Sequence, residues 1–159
     1  MKPAVINASP VIILARAGYL DLLPKLVSPI VVPRAVVTEI NAGPADDAAV
    51  RFLARRTWLS VVDLSPALSP LAVWRLGQGE SEVLEHAQRN PGTIAILDDK
   101  AARRAAKVLQ VPVTGTLGVL LAAVRSGFLP SLAEAIQTVR ACGLYVDPAT
   151  ASALIEVES

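Results

Sequence analysis

The sequence predicts an α/β protein of three layers, α/β/α, built on a central, mostly parallel sheet of four to five strands. Three observations lead there. Short β-branched runs alternate with longer segments of helical period. The strand runs are mostly apolar, as expected of strands covered on both faces. Hydrophobic residues make up 53% of the chain and charged residues 18%, which excludes a disordered chain and requires a large aliphatic core.

Ala4-Val5-Ile6 is the first strand, and Ser9-Pro10 opens the helix that Gly18 stops. A short helix holds Leu20 to Leu26. Ile30-Val31-Val32 is the second strand, ended by Pro33, where a helix starts with Val36, Val37 and Ile40 on one face. Asn41-Ala42-Gly43-Pro44 breaks the chain. Asp46 to Arg56 reads as a helix with Val50, Leu53 and Ala54 inward, and Leu59 to Val62 as an edge strand. Ser65 to Pro70 is a loop. Gly77-Gln78-Gly79 precedes a helix from Glu80 to Gln88, and Thr93 to Leu97 is a third buried strand. A helix over Ala101 to Leu109 and a short strand at Val111-Pro112-Val113 follow, and Gly115-Thr116-Leu117-Gly118 then leads into a helix running to about Gly127. Pro130 opens another helix, carrying Leu132, Ala135, Ile136 and Val139. Tyr145-Val146 reads as a last strand. With 159 residues and no internal repeat or long linker, residues 1–146 form a single domain and 147–159 a weakly patterned tail.

Composition excludes several functions. Lys and Arg number 15 and Asp and Glu 14, so the chain is not a globally basic nucleic-acid binder, although a local patch remains open. Aromatics at 4% argue against a platform that stacks many bases. One cysteine, Cys142, and one histidine, His86, exclude a disulfide framework and Cys- or His-rich metal sites. Cys142 reads as a small buried hydrophobe and His86 as a surface or satisfied residue. No apolar run approaches the about 18 residues of a membrane span. Asn7, Ser9 and Pro10 interrupt the start where a signal peptide would be apolar, and Arg16 sits where a small residue belongs, so a cytoplasmic protein is expected. The hydrophobic content exceeds what one small domain readily buries, which predicts a homodimer through aliphatic helices.

Parallel sheets bind ligands beyond the carboxyl ends of their strands. The polar residues expected there are Asn7 and Ser9, Glu39, Glu80, Asp98 and Asp99, and Thr114 and Thr116. Converging carboxylates repel unless a cation neutralises them, and oxygen-only ligation selects Mg²⁺ or Mn²⁺ over Zn²⁺. Such an ion can orient water and stabilise charge on a phosphate undergoing displacement. Each residue also has a plainer reading. Asn7 and Ser9 are favoured helix caps, Glu39 suits a solvated helix face, and Glu80 suits a helix first turn. Of Asp98 and Asp99, one is expected to cap the helix at Ala101 and the other to face the site. Arg103, Arg104 and Lys107 read first as a solvated face, yet they flank the acids where an RNA backbone would lie. Arg51, Arg55 and Arg56 read as solvated, and Trp58 and Trp74 as packing residues.

At these positions the sequence resembles the PIN-domain family of metal-dependent ribonucleases. The resemblance is carried by Val5-Ile6-Asn7-Ala8-Ser9-Pro10, by Pro33 through Glu39, by Gly77-Gln78-Gly79-Glu80, and by Ile96-Leu97-Asp98-Asp99-Lys100. Ala102-Arg103-Arg104-Ala105-Ala106 and Gly115-Thr116-Leu117-Gly118 extend it, over roughly residues 3 to 145. It implies a single PIN-like domain, a Mg²⁺-dependent (or Mn²⁺-dependent) ribonuclease, and the toxin of a type II toxin–antitoxin pair with an antitoxin protein as partner. Glu39, Glu80 and Asp98 or Asp99 would ligate the metal, with Asn7 a weak ligand and Ser9, Thr114 and Thr116 in support. The family's first Asp is Asn7 here, and its third acid is Glu80 rather than the commoner Asp. The lost charge at Asn7 supports a rival reading, a degenerate PIN fold that binds RNA or a protein without catalysis. A phosphate-receiver-like domain is weaker, because it needs a late lysine and none follows Lys107. A dinucleotide loop at Gly77-Gln78-Gly79 lacks its third glycine.

Overall fold

In a computed structural model that describes residues 1–55, 58–64 and 75–159, five strands form one sheet. They are β1 (Ala4–Ile6), β2 (Ile30–Pro33), β3 (Leu59–Val62), β4 (Ile94–Ile96) and β5 (Val113–Thr114). Their order is β3-β2-β1-β4-β5 and every pairing is parallel. The described helices are α1 (Ala8–Ala17), α2 (Leu23–Leu26), α3 (Arg34–Asn41), α4 (Ala48–Arg55), α5 (Gln78–Arg89), α6 (Lys100–Val108), α7 (Thr116–Arg125), α8 (Leu132–Ala141) and α9 (Pro148–Glu158).

The strand order reverses at β1. From there the chain builds outward through β2 to β3, and later through β4 to β5 on the opposite flank. A reversal of this kind opens a crevice beyond the carboxyl ends of the two strands that meet there, β1 and β4. The next residues on these strands' exits are Asn7 and, after Leu97, Asp98. Parallel strands need helical crossovers, and their right-handedness puts helices on both faces. Accordingly α5 and α6 pack together in one layer, while α1 packs with α4, α7 and α8 in another. β1 is buried at all three residues, and Leu14, Leu84, Leu97, Leu120 and Ile136 are among the largest fully buried side chains.

Local chemistry sets the ends. Gly18 closes α1 with φ 75°, a left-handed conformation that a residue with a Cβ adopts only at a cost. Asp47 accepts from the Ala49 N–H at 2.9 Å, so α4 starts at Ala48 rather than at Asp46. Ala54, expected inward on that helix, is exposed, and Ala49 is buried instead. Ser131 accepts from the Glu134 N–H at 3.2 Å, which starts α8 after Pro130 rather than at it. Tyr145-Val146 is not a strand. The Val146 carbonyl accepts from the Arg140 guanidinium at 3.0 Å instead of joining a ladder. Residues after Asp147 form a helix, capped by the Asp147 carboxylate on the Thr150 N–H at 3.1 Å. This helix, α9, packs on α7 and α8. Cys142 is only half-buried, at the end of α8. Trp58 packs on Phe52 with ring centroids 5.1 Å apart. The expected Ser65–Pro70 loop, Arg56 and Trp74 lie outside the described residues. Among the described residues, no helix is long and apolar enough to cross a membrane.

Candidate active site

Asn7 occupies the capping position of α1, yet its side chain caps nothing. The side chain is 3% exposed, and its amide nitrogen donates to Glu80 Oε1 at 3.3 Å. An ionised carboxylate only accepts, so the nitrogen must face it and the amide oxygen must turn the other way. That oxygen, Oδ1, is buried and has no hydrogen-bond partner among the described residues. Most buried polar atoms are paired, and an orphan costs on the order of 1–3 kcal/mol. An oxygen held buried, unpaired and beside carboxylates is suited to receive a cation.

The carboxylates come from two helices that meet over Gly79. Glu39 lies near the end of α3 and Glu80 in the first turn of α5. A Cβ added to Gly79 would lie 3.0 Å from Glu39 Oε2 and 3.1 Å from Asn7 Oδ1. The missing side chain is what lets the acid and the amide approach the α5 backbone. Glu39 is exposed as a residue, but its carboxyl end turns inward. Desolvation first, and the charge of Glu80 second, raise its pKa above the ordinary value of 4.5. An open groove of about 630 Å³ runs beside the pair, with Arg34, Asp63 and Glu82 on its walls.

Glu82 Oε2 accepts from the Ala35 N–H at 3.0 Å and so ties the start of α3 to α5. Sequence reasoning missed this brace, because the partner lies 47 residues away and is a backbone group. It missed Arg34 and Asp63 as well, which pair at 2.9 Å on the groove wall. The Pro33-Arg34 helix start was the available signal for Arg34.

The aspartates divide as their neighbours dictate. Asp99 caps α6 through Oδ2, which accepts from the Ala102 N–H at 2.8 Å. Asp98 turns into the crevice. Its Oδ1 accepts from the Thr116 N–H at 2.7 Å, and its Oδ2 accepts from the Thr116 hydroxyl at 2.7 Å and the Ser9 hydroxyl at 3.3 Å. Ser9 therefore braces Asp98 rather than capping α1. Thr116 is fully buried and Thr114 half-buried, its hydroxyl lying against Gly118 of α7. Arg103 reaches back to donate to the Leu97 carbonyl at 3.3 Å, while Arg104 and Lys107 are exposed on α6 and do not line the groove. His86 is half-buried in α5, and burial lowers its pKa, so it is neutral at pH 7.

The crevice thus brings together Asn7, Glu39 and Glu80 on one side and Ser9, Asp98 and Thr116 on the other. Among the described residues, no three His, Cys, Asp or Glu side chains converge on one point. The donor set still fits a hard divalent cation, because the unpaired Asn7 oxygen supplies what a third acid would.

Two predictions follow from the bonds to these acids. Thr116→Val keeps the side-chain shape and removes the hydroxyl that donates to Asp98. Hydrogen bonds to charged groups contribute about 1.5–3 kcal/mol, so urea unfolding should show a loss of that size. The second concerns pH. A carboxyl whose folded pKa is raised contributes stability that is fully present below its ordinary value, 4.5 for Glu39, and lost as pH rises through the folded value. Metal-free protein should therefore lose part of its thermal midpoint above pH 4.5, and Glu39→Gln should remove that part of the slope.

A family model described as a PIN domain matches residues 3–158. The fold, an all-parallel five-stranded sheet covered by helices, agrees with it, and the chain belongs to the PIN domain family. This is a nuclease-like fold whose members generally use divalent metals. A search of curated proteins found no match.

Proposed function

We propose that this protein is a ribonuclease dependent on Mg²⁺ or Mn²⁺ that hydrolyses RNA phosphodiesters. The observation that carries the reading is the buried, unpartnered Asn7 Oδ1 beside Glu39 and Glu80, at the point where the strand order reverses. Glu39 and Glu80 would hold the ion, with Asn7 Oδ1 as a neutral donor, and Asp98 would lend its charge from the other side of the crevice. When bound, the ion would neutralise the acids and withdraw charge from the phosphate undergoing displacement. The chain's own residues do the rest. The Asn7 amide fixes one oxygen of Glu80, and Ser9 and Thr116 fix Asp98. Glu82 keeps the Glu39 and Glu80 helices in register. Arg103, beside Asp98, draws the RNA backbone in, with Arg104 and Lys107 adding diffuse attraction. Hydrolysis adds water oxygen to phosphorus, breaks the ester P–O bond and delivers a proton to the departing sugar oxygen.

The family supports a further step: a cytoplasmic toxin of a type II pair, restrained by an antitoxin protein. It acts as a homodimer joined through aliphatic helices, which light scattering at micromolar concentration checks. A second reading, a non-catalytic PIN fold that binds RNA or protein, is favoured by one observation. The oxygens of Asp98 are already occupied by Thr116 and Ser9, and Asn7 carries no charge. The deciding experiment incubates the purified protein with single-stranded RNA, with Mg²⁺ or Mn²⁺ and then with EDTA. Cutting that EDTA stops supports the enzyme; no cutting with either metal leaves the binding fold.

A further inference from the structure

A second cleft adjoins Asp98, enclosing about 500 Å³ between α6, β5, α7 and the segment that leads into α9. That volume is in the ordinary range for small-molecule sites. Its apolar wall includes Leu117, Leu144 and Leu154. Tyr145 stands at the edge and is 81% exposed. Its backbone is nonetheless fixed on the C-terminal side, where Val146 is buried and bonded to Arg140, and where Asp147 caps α9. A bare aromatic ring is thus presented on an anchored backbone.

The charges around it are unequal in what they have left to give. Asp98 is bonded to Thr116 and Ser9, and Asp147 to the Thr150 backbone. Lys100 and Arg103 also line the cleft, and neither forms an ion pair with a described residue. The cleft therefore offers the cations Lys100 and Arg103, the second also donating to the Leu97 carbonyl, next to an apolar wall and a ring face, while the carboxylates of Asp98 and Asp147 are held on their own hydrogen-bond donors. A nucleotide carries the matching pair, a phosphate and a flat, largely apolar base.

We propose that this cleft seats one nucleotide of the RNA, with its base against Tyr145 and Leu144 and a phosphate toward Lys100 and Arg103. This rests on the ribonuclease reading for the identity of the polymer. Asp98 borders the cleft and belongs to the candidate site, so the seated nucleotide is a close neighbour of the bond to be cut. A single ring agrees with the low aromatic content: it grips one base rather than a run of them.

The test is made without metal, so that it does not depend on cleavage. Adenosine and uridine monophosphates are titrated into the ¹⁵N-labelled protein in EDTA, with inorganic phosphate in parallel. The nucleotides should shift the amides of Leu144, Tyr145 and Gly115, and phosphate alone should leave Tyr145 unmoved. Tyr145→Ala should weaken nucleotide binding about 5-fold to 150-fold, the range for one stacked base. The side chain is exposed, so the variant should fold. Lys100→Gln should reduce the dependence of binding on salt. Shifts that phosphate alone reproduces would mark an ion site and overturn the proposal. Unchanged affinity in Tyr145→Ala would do the same, as would shifts at these amides that follow protein concentration rather than nucleotide. RNA cut by a protein whose cleft ignores nucleotides sinks this proposal and leaves the ribonuclease reading standing. Nucleotide binding at Tyr145 in a protein that cuts no RNA does the reverse.

Discussion

Replacing Glu80 by Gln is expected to reduce metal-dependent RNA cleavage about a hundredfold or more. The change keeps the side chain's shape and its contact with the Asn7 amide, but removes the charge that acts on Glu39. Loss of a single group that stabilises developing charge commonly costs about 10²–10³ in rate. Two further readouts separate this from misfolding. The metal-free variant should be more stable than wild type, because Glu39 no longer faces a like charge that raises its pKa. The rise in thermal midpoint on adding Mn²⁺ should shrink, since a weaker ligand stabilises the folded state less. Cleavage that survives both Glu80→Gln and EDTA would sink the metal mechanism.

The second large effect is expected at Asn7. Asn7→Asp should have opposite consequences with and without metal. Without it, a third acid replaces the amide that donates to Glu80, and a 3.3 Å hydrogen bond becomes a repulsion in a site where residue 7 is 3% exposed. A loss on the order of 1–3 kcal/mol is the scale for a buried group left unpaired. With saturating Mn²⁺ the same carboxylate becomes a charged ligand. The metal-induced rise in midpoint should then exceed that of wild type, and tenfold tighter binding corresponds to about 1.4 kcal/mol. Cleavage at limiting metal should rise with it. If the variant shows neither a larger shift nor more activity, residue 7 is not part of a metal site, and the non-catalytic reading takes precedence.

The parts of this molecule that were readable in advance are those governed by short-range chemistry. β1 and β2 are continuous apolar runs, and Gly18 and Pro33 mark boundaries whatever surrounds them. Leu59–Val62, read as an edge strand, does lie at one end of the sheet. Long-range partners were not readable. Both aspartates at 98 and 99 suit a helix cap, and the division is decided by Thr116, 18 residues later. Glu82 looks like any solvated glutamate until the start of α3 lands on it. Helix α9 was missed because its apolar residues are spread around the helix instead of forming a stripe. Tyr145-Val146 has strand-like residue types, but Arg140 occupies the Val146 carbonyl and no described strand pairs with it. The acids of the candidate site were legible as a set through their order along the chain. That Asn7 leaves its oxygen bare was not, since it depends on where Glu80 sits.

The last strand of the sheet carries a consequence for how copies of this chain associate. β5 is only two residues long, and the residue that enters it, Pro112, has no N–H to offer. The turn through Leu144 and Val146 borders the same cleft as Val113 and Thr114, so the flank is also partly screened. An outer edge this brief cannot template a neighbouring strand, which guards against open-ended polymerisation by backbone pairing. Any assembly on that flank has to be written in side chains, and can therefore be undone by single substitutions on its helices without touching the sheet.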